Sequence, residues 1–316
     1  MQEPAKHSPE RVAEVLGEIL GDEVTDVAPL GAGAWSRAYG FTRRADGAEL
    51  VARLGQYIDD FEADRDAMAF TASKLPVPRT ITIASTRDYG IDGYVSISER
   101  AEGEFPEELD GDRWRRLLPA WSAMMGALWS NRPEDWSPQL RDRFGADTPW
   151  TDWLLSIADE PEGARNHGWR DKLAASPGGF AAFDKGFTAL QDLARTDAVA
   201  NAERAMMHRD LINRNVLVAE NRVTAVFDWG CGLVGDPLFD LVWLEFWAPW
   251  HPGIAAIEPR TAFAPLIAEL GHSAADIEKR WQACGIHIGL DHLGYHAFID
   301  DQEALARTTA RLADYL

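Results

Sequence analysis

The pattern of apolar and polar positions changes period once along this chain, near residue 104. Ahead of that point Val12, Val15, Leu16 and Ile19 recur at helical spacing behind Ser8-Pro9-Glu10-Arg11, which reads as a capped helix start. Short runs rich in β-branched and aromatic residues follow around 24–27, 38–42, 50–54, 81–84 and 94–97, and they predict strands. A helix around 61–68 interrupts them. Leu75-Pro76-Val77-Pro78 ends it, because proline disfavours helical backbone in the residue before it. Beyond 104, Trp114, Leu117, Leu118, Trp121, Met124, Met125, Leu128 and Trp129 keep to helical spacing, and 181–193 predicts a further helix. Asp236-Pro237 reads as the cap of another. One hairpin breaks the helical half: Val216-Leu217-Val218 and the run 223–227 flank the polar turn Glu220-Asn221-Arg222. The expectation is an α+β chain, with a small β-rich N-terminal lobe over 1–101 and a larger helical lobe over 102–316.

A length of 316 residues suits two domains, and a hydrophobic fraction of 46% suits a sizeable core. Cys231 and Cys284 offer neither a disulfide framework nor metal-ligand spacing, which fits a reducing cytoplasm. The N-terminal stretch through His7 has no apolar segment of the kind a secretory leader needs, and no run of 18 or more apolar residues reads as a membrane span. The formal net charge is −20, with no basic stripe. Nucleic acid is thereby excluded as a partner, and cationic small molecules are favoured. A monomer or weak dimer is expected.

The chemistry is written in His208-Arg209-Asp210-Leu211-Ile212-Asn213-Arg214-Asn215, followed by Val226-Phe227-Asp228-Trp229. Phosphoryl transfer from a nucleotide needs one carboxylate to accept or orient the acceptor's hydroxyl proton. It also needs oxygen ligands for Mg²⁺ on the phosphates. The order H-R-D-x-x-x-x-N then D supplies these as Asp210, Asn215 and Asp228. The predicted hairpin carries Asn215 into its first strand and Asp228 out of its second.

The β-rich lobe holds weaker companions. Leu30-Gly31-Ala32-Gly33-Ala34-Trp35-Ser36 places glycines and a serine at a turn between strands, where backbone N–H groups can approach phosphates. The third strand should carry a lysine for those phosphates; Arg53 stands there. The helix after it offers Asp64 as a partner, with Glu62 and Asp66 as alternatives. Ser98-Glu99-Arg100-Ala101-Glu102-Gly103 reads as a hinge whose backbone could meet an adenine edge. His287, His292 and His296 read as polar lining or surface, because they lack the acid pattern of a zinc helix.

On these residues the chain resembles the aminoglycoside phosphotransferase family, and within it the hygromycin B branch. The likeness runs through the Leu75–Pro78 segment, the hinge, the catalytic stretch, Gly235-Asp236 and Ile288-Gly289-Leu290-Asp291-His292-Leu293. The resemblance implies a two-lobed, protein-kinase-like fold, ATP or GTP as donor, and Mg²⁺ on Asn215 and Asp228. Arg53, supported by Asp64, would steady the phosphates. The acceptor would be a polycationic aminocyclitol, its modification a means of antibiotic resistance, with Asp236, Asp240, Glu245 and Asp291 as ammonium partners. Kinases of choline, homoserine, a macrolide or a sugar would share the catalytic residues, and a non-catalytic pseudokinase is the alternative of a different class.

Overall fold

The computed structural model describes residues 6–316, so most of the N-terminal stretch read for a leader lies outside the described residues. The chain forms two compact units. One comprises the chain to Pro106 together with Asn213–Gly232; the other comprises Glu107–Ile212 and Leu233–Leu316. The division differs from the expected break after residue 101, and the hairpin joins the first unit instead of the second. Main-chain pairing explains this. Glu104 and Val218 exchange N–H···O bonds of 3.0 Å in both directions, and the Val226 N–H donates to the Pro76 carbonyl at 2.8 Å. The Thr224 hydroxyl donates to the Glu102 carbonyl at 2.7 Å.

In the first unit, α1 (Pro9–Leu20) starts where the Ser8 hydroxyl accepts the Arg11 N–H and ends at Gly21, whose φ of 64° suits a residue without Cβ. Five antiparallel strands follow: β1 (Val24–Ala32), β2 (Ser36–Arg43), β3 (Ala48–Gly55), β4 (Thr80–Ser85) and β5 (Tyr94–Glu99), in the spatial order β1-β2-β3-β5-β4. Helix α2 (Ile58–Ala67) links β3 to β4. Strand alternation divides the sheet into two faces. Leu50, Ala52 and Leu54 of β3 and Val95 and Ile97 of β5 pack with Val12, Val15 and Leu16 of α1 in one core. Val51, Arg53, Ser96 and Ser98 take the opposite face. Register sets Arg53 beside Ser96 and Val51 beside Ser98.

The second unit is helical, as its spacing predicts. α3 (Gly111–Ser130) is capped by the Asp110 carboxylate and buries Trp114, Leu117, Trp121, Met124, Met125, Leu128 and Trp129. The long helix Ala274–Phe298 packs against several neighbours, among them the C-terminal helix Gln302–Leu312. Gly289 permits this approach, since a Cβ there would fall 2.8 Å from Leu312, and Gly285 does the same for Tyr315 just beyond that helix, at 2.2 Å from its ring. The same long helix buries a charge. Arg280 is 0% exposed, and its Nε and Nη2 donate to the two oxygens of Asp236 at 2.7 Å each. Its Nη1 donates to Glu203 at 2.9 Å. A buried guanidinium survives only when its donors are met this way. Arg280→Met alone should therefore destabilise the protein by about 3–5 kcal/mol, because Asp236 is left as an unpaired buried charge. Adding Asp236→Asn should recover part of the loss; denaturant unfolding of both variants measures it.

Candidate active site

A cavity of about 380 Å³ opens on the face of the sheet turned away from the first unit's core. Gly31, Gly33, Ser36, Arg53, Asp64, Ser98, Arg100, Asn215 and Asp228 all line it, so every site residue expected in this unit comes to one place. Leu30, Val51, Val77 and Leu217 supply an apolar section beside the hinge, suited to a flat base. Periodicity marks these four only as strand or loop positions, so a sequence reading misses them as site residues. At the turn between β1 and β2 the Gly33 N–H donates to the Ser36 carbonyl at 2.9 Å. A Cβ on Gly31 or Gly33 would meet nothing within 4 Å. Packing therefore does not demand these glycines, and they leave room for a ligand to approach the backbone.

Arg53 is the centre of the inner end. Its Nη1 donates to Asp64 at 2.5 Å and its Nη2 to Asp228 at 2.9 Å. Burial opposes its charge, but Asp228 and Asp64 together hold its pKa above the usual value. Burial pushes the Asp64 carboxyl up to about 6 against the pull of Arg53, with Asp228 adding to the rise. The other Asp64 oxygen accepts the Trp229 N–H at 2.8 Å, which ties α2 to the segment bearing Asp228. Glu62 and Asp66 instead engage Arg65, so Asp64 alone of the three acids partners Arg53. The Phe227 N–H donates to the Asn215 carbonyl at 3.0 Å, which keeps the two oxygen donors at the same end of the hairpin. One carboxylate and one amide oxygen are hard ligands suited to Mg²⁺ bound with substrate phosphates. Among the described residues no group of three or more His, Cys, Asp or Glu could hold a metal by itself.

The segment before Asn215 belongs to the second unit as far as Ile212. His208 is fully buried. Its N–H and that of Arg209 donate to the two oxygens of Asp240, at 2.8 and 2.7 Å. The Asp210 N–H donates to His208 Nδ1 at 3.2 Å, so that nitrogen carries no proton. The Arg209 guanidinium lies 4.4 Å from the centre of the Trp153 ring. Arg209, Asn213, Arg214 and Asp228 all have φ between 66° and 71°. Left-handed backbone costs a non-glycine residue about 1–3 kcal/mol and gathers at functional sites.

Three comparisons bear on this arrangement. The phosphotransferase enzyme family profile, APH, matches residues 26–293. The chain belongs to this phosphotransferase family. Hygromycin-B 4-O-kinase of Escherichia coli is 26% identical over 283 residues, covering 88% of this chain and 76% of that protein. A thermostable mutant of aminoglycoside phosphotransferase APH(4)-Ia, solved as a ternary complex with AMP-PNP and hygromycin B, superposes with a TM-score of 0.78 at 25% identity, covering 96% of this chain and 97% of the other. The gentamicin complex of APH(2")-IIa, at 17% identity and a TM-score of 0.61 over 98% and 97% of the two chains, shares the fold. The expected α+β kinase-like architecture and the family resemblance both hold.

In this phosphotransferase the four acids expected to meet an acceptor's amines do not form one set. Asp236 is sealed against Arg280 and caps the Leu238 N–H at 2.9 Å. Asp240 is 1% exposed and holds the His208–Arg209 backbone. Glu245 accepts from Trp281 Nε1 at 3.2 Å and from the Tyr315 hydroxyl at 3.1 Å. All three are framework groups: Asp236 and Asp240 are buried and need such donors, and the part-buried Glu245 is held by Trp281 and Tyr315. Asp291 remains half-buried, with no hydrogen bond or ion pair among the described residues.

What stands near Asp291 is aromatic. Trp153 lies against His287 at 4.1 Å, Trp243 against His292 at 5.2 Å and Trp247 against His292 at 4.6 Å between ring centres. Burial lowers the pKa of all three histidines, His287 and His296 to about 4, and Asp291 only partly offsets it. These imidazoles are neutral at pH 7. His287 and His292 face the Leu154 and Ile288 carbonyls through Nδ1, at 3.1 and 3.0 Å, which places their protons there. Among the described residues, Trp243 Nε1, Trp247 Nε1 and His287 Nε2 are buried without a hydrogen-bond partner. Helical spacing marks these tryptophans and histidines as one-sided; it does not show that their polar atoms stay unmatched.

Asp240 sets a pH response. Burial raises its pKa to about 6 against the two backbone N–H bonds. A proton on it removes one acceptor from the His208–Arg209 backbone, so kcat should fall as pH drops through about 6. Stability should move the other way. The folded pKa exceeds the ordinary carboxylate value, so this group's stabilising contribution is present below that ordinary value and lost as pH rises through about 6. Asp240→Asn should flatten both dependences and lower kcat roughly 10–100-fold, by the scale of a misplaced catalytic group. Parallel pH profiles of kcat and of unfolding midpoint test this; profiles unchanged in the variant would assign the response to another group.

Proposed function

We propose that the protein transfers the γ-phosphate of ATP to a hydroxyl of an aminocyclitol or aminoglycoside antibiotic, hygromycin B first, and so confers resistance. The observation that carries the nucleotide half is the Arg53 guanidinium shared between Asp64 and Asp228 in a cavity with an apolar, hinge-flanked section. Asp210 accepts or orients the proton of the attacking hydroxyl. Asn215 and Asp228 hold Mg²⁺, which neutralises charge on the phosphates when bound. Arg53 positions the phosphates, while Gly31, Gly33 and Ser36 offer backbone and hydroxyl donors. Ser98 and Arg100 flank the base, for which adenine is the first choice and guanine the alternative. Catalysis is then mainly positioning and charge neutralisation.

For the acceptor, Asp291 and the Trp153–Trp243–Trp247 wall are the supporting features, together with the relative named as a hygromycin-B kinase. Sugar rings present flat C–H faces to indoles, and an ammonium group suits both an aromatic face and a carboxylate. The same wall with Asp291 beside it also favours a second reading, a smaller cationic alcohol such as choline. Two unbridged cysteines fit work in the cytoplasm, where we place the enzyme as a monomer or weak dimer.

Asp210→Ala should cut turnover roughly 10²–10⁴-fold while the variant still binds nucleotide, the usual scale for a general base. Near wild-type turnover at saturating substrate would remove Asp210 from the mechanism. Asp228→Asn should weaken MgATP binding, read by calorimetry, and nearly abolish transfer, because a charged ligand for a hard cation is lost. A panel of hygromycin B, other aminoglycosides and choline, run at two salt concentrations, tests the acceptor. Exposed charge is screened over about 10 Å at 0.1 M salt, so the KM for the antibiotic should rise with salt more than that for MgATP. Phosphorylation of choline with every aminoglycoside ignored would keep the kinase and discard resistance.

A further inference from the structure

The sheet face that lines the first unit's cavity is built in two rows. Cross-strand register gives one row as Gly31, Ala38, Arg53 and Ser96. The next row is Gly40, Val51, Ser98 and Thr80. The first row carries the guanidinium held by Asp64 and Asp228. The second row is uncharged. Its Val51 belongs to the apolar section of the cavity, with Leu30, Val77 and Leu217. Past Val51, towards the sheet edge at β4, the row turns polar, and Ser98 and Thr80 both line the cavity. Directly opposed residues of an antiparallel pair share a face, about 5 Å apart, so these two hydroxyls stand side by side. The Thr80 backbone N–H donates to Met68 Sδ at 3.2 Å, and among the described residues neither hydroxyl has a hydrogen-bond partner.

We infer that Thr80 and Ser98 read the 6-position of the donor's purine, and that the protein accepts 6-amino and 6-oxo purine nucleotides alike, ATP and GTP among them. This rests on the phosphotransferase reading and deepens it. The sugar joins a purine on the side opposite C6. A donor with its phosphates at the Arg53 row therefore turns its 6-edge away from that row, towards the second. A ring resting on Val51 has the next strand about 4.8 Å to its side, and Ser98 is the residue that strand presents there. At position 6 adenine and guanine are opposites: the amino group donates and the carbonyl oxygen accepts. A fixed donor or a fixed acceptor would match one base and leave a polar group unmet against the other, which is costly out of water. A hydroxyl has one proton and two lone pairs and turns to suit either. A carboxylate here would select the amino group alone. The adjacent acid, Glu99, is instead taken by Arg79, whose Nε and Nη2 donate to it at 2.9 and 2.7 Å.

The test is calorimetric, on the full chain, with the magnesium complexes of ADP, IDP, GDP and purine riboside 5′-diphosphate. The last carries only hydrogen at position 6. ADP, IDP and GDP should bind within about tenfold of one another. The purine riboside compound should bind roughly 3–30-fold more weakly, the size of one or two neutral hydrogen bonds. Thr80→Val combined with Ser98→Ala should bring the other three down to that compound, whose own affinity should stay within about twofold. Ser98→Ala alone removes one oxygen and should give an intermediate loss, so the outcome does not hang on the folding of the double variant. A wild type that binds IDP more than about 100-fold more weakly than ADP would overturn the inference. A preference for 6-substituted purines that survives intact in both variants would overturn it, and so would a loss shared equally by all four ligands. Each of these results leaves the phosphotransferase reading in place. A wild type that binds none of the four would overturn both readings together.

Discussion

Arg53 lies between Asp64 and Asp228, and much of the first unit's architecture serves to keep it there. A guanidinium out of water is tolerable only if its donors are matched, and two carboxylates on separate segments match them. Asp64 comes from α2, which turns back directly after β3. Asp228 comes from the end of the hairpin, far along the chain. Holding both on one side chain fixes the strand, the helix and the hairpin as a single framework, and the Trp229 N–H on Asp64 adds a second tie. Lysine could not replace this fork, because a point charge with freely rotating donors does not select two oxygens at fixed positions. The third-strand arginine is thus a structural requirement of this unit.

The second unit uses the same device with the polarity reversed. There a buried carboxylate, Asp240, holds two successive backbone N–H groups and shapes the turn that carries Asp210. Asp236 and Glu245 are likewise absorbed by Arg280, Trp281 and Tyr315. The chain's strong acidity therefore overstates the negative charge available to an acceptor. Of the four candidate acids, Asp291 is the one that shows no hydrogen bond or ion pair among the described residues, beside neutral imidazoles and indoles.

What could be read from the residues follows from this contrast. The phosphotransferase family was legible from the order of His208–Asp210, Asn215 and Asp228, because phosphoryl transfer constrains both residue type and spacing. The strands were legible because one face of each must be apolar. The fates of Asp236, Asp240 and Glu245 were not legible, since their partners, Arg280 and Tyr315 among them, lie tens of residues away and burial alone decides whether a carboxylate caps, pairs or faces water. The hairpin's membership in the first unit was hidden for a similar reason: it rests on backbone pairing between Glu104 and Val218, which no side-chain pattern encodes.

The alternation of β3 has a consequence at the level of the gene. Leu50, Ala52 and Leu54 face the core while Val51 and Arg53 face the cavity. A single-codon insertion or deletion ahead of Arg53 in this strand would flip the residues beyond it, driving Arg53 towards the core and a core residue towards the cavity. Length variation here cannot yield a folded but silent enzyme; it removes the protein. Lineages carrying this chain can accumulate insertions in the loops of either unit, yet the length of one eight-residue strand should stay fixed for as long as the product folds.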